Sequence, residues 1–223
     1  FESEILQPVL RGRHIHRYKK PYPEAICICP YDNSGVIMSE SALSRTYPLT
    51  YKYLHKCREA LESRKIKENL PWYCYRTENI SHYLQSPKII TSSVINGPSF
   101  SLEDNNVLCN GSTVIVHSNE ADISPYLLLA IFNSSVFHRW ANLQMPSLGD
   151  GWKSLRIGIM REFPIVLKNI NNKKIIHEIE KEASDLMTKS CSTKVLEKKL
   201  FSIDRKVCHL YNVSELYLYG NNR

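Results

Sequence analysis

The chain has 223 residues, with 29 Lys and Arg against 22 Asp and Glu, a net charge of +7 and a pI near 9.0. A hydrophobic share of 43% and a charged share of 23% supply a core of ordinary size and exclude disorder and collagen. No stretch approaches the roughly 18 consecutive apolar residues of a membrane span, because the longest, Tyr126 to Phe132, stops at Asn133; a soluble protein is expected, with no membrane partner.

The first residues, Phe1-Glu2-Ser3-Glu4, carry neither an initiator Met nor a signal sequence, so the chain reads as a piece of a longer polypeptide. The positive charge then concentrates between positions 11 and 20, where Arg11, Arg13, Arg17, Lys19 and Lys20 stand with His14 and His16 and no acid. His14 and His16 share one side of an extended segment, but no third metal ligand is near and the arginines repel a cation, so phosphate contact or plain solvation is expected and no metal site is assigned. Ala25 to Tyr31 reads as a buried strand in which Cys27 and Cys29 point to one face as small apolar side chains. The seven cysteines form no C-x-x-C pair, which argues against a disulfide framework and a zinc site and suits a reducing cytoplasm.

From Pro48 the apolar residues Leu49, Tyr53, Leu54, Cys57 and Leu61 recur at helical spacing, predicting one amphipathic helix that ends at Arg64 to Lys67. An aromatic segment, Pro71 to Arg76, precedes a β-branched strand from Pro87 to Val94. Phe100 to Leu102 and Val107 to Cys109 flank a polar turn, and Ser112 to His117 is another strand, so the middle third is β-rich. Ser124 and Pro125 supply an N-cap and first-turn proline for a helix over Tyr126 to Leu143, which fails near Pro146. After the Gly149 to Lys153 loop and an Asn-rich stretch, two amphipathic helices follow, from Ile175 to Met187 and from Leu196 to Tyr211, joined near Cys191. Their charges read as a solvated face around an apolar stripe. The predicted division is a recognition lobe over 1–167 and a helical hairpin over 168–223.

The common phosphate-cradling, nucleophile and zinc motifs are missing, and no catalytic residue is assigned. What remains is basic and aromatic: arginine presents a planar fork to phosphates and guanine edges, and Tyr, Trp and His add stacking surface. Trp72 and Trp152 are read first as packing residues. A basic run also suits an acidic protein partner, so composition by itself leaves both open.

The order of these blocks resembles a known family. Leu10 to Tyr18, Pro48 to Leu54 with Leu61 to Arg64, Trp72 to Arg76, Pro87 to Ile90, Tyr126 to Ser134, Phe163 to Ile165 and Ile203 to Tyr211 follow one another as in the TaqI-like C-terminal specificity domain. That is the target-recognition domain of Type IIG restriction–modification enzymes and related adenine methyltransferases. The chain departs from the pattern at His14, where Asp is usual, and at Asn212 and Val213, where Gly and Leu are.

The resemblance implies an α+β fold, an irregular β-rich lobe with packed helices and a helical tail, that docks on double-stranded DNA and selects its sequence. It places the catalytic half, with S-adenosylmethionine, in an N-terminal methyltransferase domain of the same parent chain, leaving this piece without cofactor or catalysis. Arg11, Arg13, Arg17, Lys19 and Lys20 are the expected phosphate contacts. Arg76, Lys88, Ser92, Asn96, Lys153 and Arg156 are candidates for base or phosphate contact. For Arg11 and Arg13 the alternative is pairing with carboxylates inside the fold or a bridge to the methyltransferase half. Half of a Type I specificity subunit and a basic protein-interaction module are the competing readings of the whole.

Overall fold

A computed structural model of the chain describes residues 1–66, 68–118, 123–166, 172–190 and 192–214. In chain order the elements are β1 (Leu6–Leu10), β2 (Ala25–Ile28), α1 (Glu40–Thr46), α2 (Pro48–Lys56), α3 (Arg58–Glu62), α4 (Ser81–Leu84), β3 (Lys88–Ser92), β4 (Val94–Ile95), β5 (Ser101–Glu103), β6 (Leu108–Cys109) and β7 (Thr113–Val116). There follow α5 (Pro125–Phe132), α6 (Ser135–Gln144), β8 (Ser147–Gly149), β9 (Trp152–Ser154), α7 (Ile157–Met160), α8 (Lys173–Thr188) and α9 (Thr193–Leu210). This is the α+β architecture expected, and no helix among the described residues is long and apolar enough to cross a membrane.

Among the described residues the strands form three small sheets and no single large one. β1 is central in the first, antiparallel to β2 and parallel to β6, with Val9 opposite both Ala25 and Leu108. β3 is central in the second, antiparallel to β5 and β7, which makes Lys88 to Ser92 an interior strand in keeping with its β-branched sequence. The third joins β4 to the β8–β9 hairpin. The segments at 100–102 and 107–109 do not pair with each other across their polar turn. Leu102 faces Ile89 in the second sheet, whereas Leu108 and Cys109 join β1 in the first.

α5 is apolar on every side and is accordingly covered on every side. Leu127, Leu129 and Ile131 are fully buried among Ile89 and Leu102 of the second sheet, Phe100 just before β5, and Ile176, Ile179, Ala183, Ile203 and Val207 of α8 and α9. At about 1.5–3 kcal/mol for each large apolar side chain removed from water, this helix is the main anchor between lobe and hairpin. The hairpin therefore shares the lobe's core. The predicted boundary at 167/168 and the turn at Cys191 lie outside the described residues.

Two predicted helices are each divided. The helix predicted from Pro48 to the Arg64–Lys67 run breaks at Cys57, leaving α2 and α3, and Leu49 and Tyr53 of its predicted apolar face are exposed. The 126–143 helix breaks at Asn133 and Ser134. There Ser124 caps α5 through the Tyr126 N–H and Ser134 caps α6 through the Phe137 N–H.

Candidate nucleic-acid interface

The basic run does not lie along the surface as one extended stripe. Arg11 leads into a 3-10 turn over Gly12–His14, and Gly12 is buried against the second sheet, its N–H donating to Ser112 Oγ at 3.0 Å. A Cβ built on Gly12 falls 2.6 Å from Ser92 Oγ and 2.7 Å from the Ser112 carbonyl oxygen, so no other residue fits without moving backbone. His14 turns inward, its Nδ1 accepting the Arg11 backbone N–H at 3.1 Å, and its Nε2 lies 3.4 Å from Glu24. A carboxylate at this position could accept the same N–H, which reconciles the departure from Asp. His16 is exposed, so the two histidines do not share a side as an extended segment would require.

The turn sends its two arginines into different depressions. Arg13 lines a groove of about 440 Å³ with His16, Ser92, Val94, Asn96 and Trp152. Arg11 lines a separate cleft of about 670 Å³ with Arg76. Both arginines are exposed, and among the described residues neither makes an ion pair with a carboxylate. In the Arg13 groove, Asn96 is exposed and its Oδ1 lies close to Gly151 in the β8–β9 turn, while Trp152 is 45% exposed and so is not a core residue. Ser92 is half-buried, its Oγ accepting the Val94 N–H at 3.2 Å.

The remaining sequence candidates divide by environment. Lys19 is exposed, and Lys20 is exposed with its Nζ 3.0 Å from Asp104, a surface pair worth about 0–1 kcal/mol. Arg156 is exposed at the start of α7, and half-buried Lys153 donates to the Asn142 carbonyl at 3.2 Å. Two candidates point into the protein. Arg17 donates to the Asn133 carbonyl at 2.6 Å. Burial lowers its pKa from the ordinary guanidinium value, against the fields of Tyr18 and Asp204. Lys88 is fully buried in β3, with Nζ 2.8 Å from both Glu103 Oε2 and the Tyr83 carbonyl. The expected DNA contact from Lys88 is corrected to an internal ion pair, because its side chain has no exposed surface to offer a phosphate or base.

Several blocks that carry the family likeness turn out to be joints. Arg64 donates to the carbonyls of Leu61, Trp72 and Cys74, tying the end of α3 to the aromatic segment, where Trp72 is buried. Asn133 exchanges two hydrogen bonds with the Phe100 backbone, and the Phe100 carbonyl also accepts the Tyr18 N–H. Asp204 of α9 accepts the Ser135 N–H at 2.7 Å, at the start of α6. Arginine run, mid-chain Asn-Ser and hairpin Asp thus meet at one buried polar junction. His16, read from the sequence as a phosphate contact or a solvated side chain, lines the groove beside Arg13, whereas Trp152 was missed as a groove residue because nothing along the sequence joins it to Arg13 or Asn96.

A family model described as the TaqI-like C-terminal specificity domain matches residues 7–165, from β1 to the segment after α7. The match ends before α8, so the likeness of Ile203 to Tyr211 lies beyond it. Among curated proteins no match is found. With most of its length covered, the chain belongs to the TaqI-like C-terminal specificity domain family, and sequence-specific DNA recognition in restriction–modification systems is the role that membership implies.

Proposed function

We propose that this chain is the target-recognition domain of an adenine-N6 DNA methyltransferase in a restriction–modification or phage-defence system, and that it reads duplex DNA through the Arg13 groove. The observation that supports this reading is the convergence of Arg13, His16, Ser92, Asn96 and Trp152 on one groove from three separate parts of the chain. An arginine fork matches the acceptor pair of guanine and a carboxamide matches the acceptor and donor of adenine. Lys19, Lys20 and Arg156, exposed outside the groove, supply phosphate contacts, which fix position without reading sequence. S-adenosylmethionine and methyl transfer belong, in this reading, to an N-terminal methyltransferase domain of the parent chain in the cytoplasm.

The test is to select bound duplexes from a randomised pool at low salt and sequence them. Enrichment of a motif is expected, together with its loss or relaxation at one position in Arg13→Ala or Asn96→Ala, each base contact being worth about 1–3 kcal/mol. Lys19→Ala should instead weaken all sequences alike and reduce the salt dependence. Failure of the folded chain to bind any duplex would overturn the reading in favour of a protein-interaction module.

A further inference from the structure

The larger cleft, on the Arg11 side of the turn, is not used by the reading above. It opens over the first sheet, where Val9 of β1 and Leu108 of β6 provide an apolar floor with Ile80. Tyr75 and Tyr83 add aromatic walls, and Tyr75 is held in place because its hydroxyl donates to the Ile28 carbonyl at 2.7 Å. Arg11 and Arg76 line the same cleft and both are exposed. Among the described residues no carboxylate lines it, whereas Asn110 and Thr77 offer neutral hydrogen-bonding groups. Its volume of about 670 Å³ is that of a small-molecule site.

An apolar, aromatic-walled floor beside two guanidinium groups fits a ligand with a flat ring at one end and a dense negative charge at the other. Stacking on tyrosine is tolerant of ring identity, and the arginine fork fits phosphate oxygens on two donors at once. We propose that this cleft binds a nucleotide, with the base over Tyr75 and Tyr83 and the phosphate on Arg11 and Arg76. That chemistry has two sources: a free mononucleotide, or a nucleotide extruded from bound duplex. The first stands without the DNA-reading proposal; the second rests on it. Gly12 separates the two functions, sending Arg11 to the nucleotide and Arg13 to the groove.

The full chain is titrated with 2-aminopurine riboside monophosphate, whose fluorescence reports stacking, and in parallel with a duplex carrying 2-aminopurine opposite an abasic site. Saturable one-to-one change with the free nucleotide, weakened about tenfold or more in Arg11→Ala/Arg76→Ala, supports the free source. Change only with the duplex-borne probe, lost in the same variant while the duplex still binds, supports the extruded source. Arg76→Glu should abolish either signal. No change with either probe, or signals that survive both variants, overturns the site. Arg13→Ala/Asn96→Ala separates the two proposals: it should abolish motif selection from the duplex pool and leave free-nucleotide binding intact.

Discussion

At the scale of single residues, charge in the sequence did not foretell position. Arg17 belongs to the basic run and Lys88 is a lone cation in a β-branched segment, yet Arg17 ends on the Asn133 carbonyl and Lys88 on Glu103, while Arg13 of the same run as Arg17 stays in a solvent groove. The reason is local geometry. Lys88 opens the interior strand β3 and has β5 on one side, so its ammonium group has no route to water and needs the carboxylate placed opposite it. Glu103 is committed as well, accepting the N–H groups of Asn105 and Val107. Lys88→Met should therefore cost about 3–5 kcal/mol, the penalty of stranding one buried charge, read as a lower denaturation midpoint. DNA affinity of the fraction that remains folded should be unchanged.

At the scale of elements, the helices were legible by period and their breaks were not. The Ser124-Pro125 start of α5, the amphipathic stripes of α8 and α9, and the β-branched runs of β3 and β7 are formed where their residue patterns place them. The division between α5 and α6 falls at Asn133-Ser134, two residues that a helix interior tolerates. They stop the helix here because Asn133 is engaged by the Phe100 backbone and Ser134 caps the next helix. Both partners are distant in sequence or depend on the break itself. Asn133→Ala leaves the buried Phe100 N–H without its acceptor and should destabilise the protein by about 1–3 kcal/mol, measured by thermal or denaturant unfolding. The buried strand predicted over 25–31 is likewise corrected: β2 ends at Ile28 and leaves Ile26 exposed, while buried Cys29 and half-buried Cys27, whose Sγ accepts from the Tyr75 hydroxyl, pack in one cluster.

At the scale of the molecule, lobe and hairpin are one folding unit in energetic terms. α5 has the second sheet on one side and α8 and α9 on the other, and Asp204 of α9 holds the first turn of α6. A chain ending after Val166 would leave the apolar surface of α5 open to water and the Ser135 N–H without its acceptor. Such a truncation should lose cooperative melting and near-ultraviolet circular dichroism, whereas the full chain keeps both. Retention of a sharp transition would instead make the hairpin an independent appendage. The family match nonetheless stops at residue 165, so the part that carries the shared pattern relies for its core on helices beyond it.

The sequence by itself determined the fold class, most of the regular elements, the family, and with it a DNA-binding role, because these follow from local periodicity, capping residues and the order of short motifs. It also named Arg11, Arg13, Arg76, Ser92 and Asn96 among the residues of interest. Only the tertiary structure decided how they are shared out. Burial of Gly12 against Ser92 and Ser112 turns the chain so that Arg13 meets Asn96 and Trp152 in one groove and Arg11 meets Arg76 in another. Strand pairing likewise took Lys88 out of contention. Both outcomes depend on contacts between residues far apart in the chain, whose free energies are set by close packing and by the cost of burying unpaired polar groups, and no spacing along the sequence encodes them.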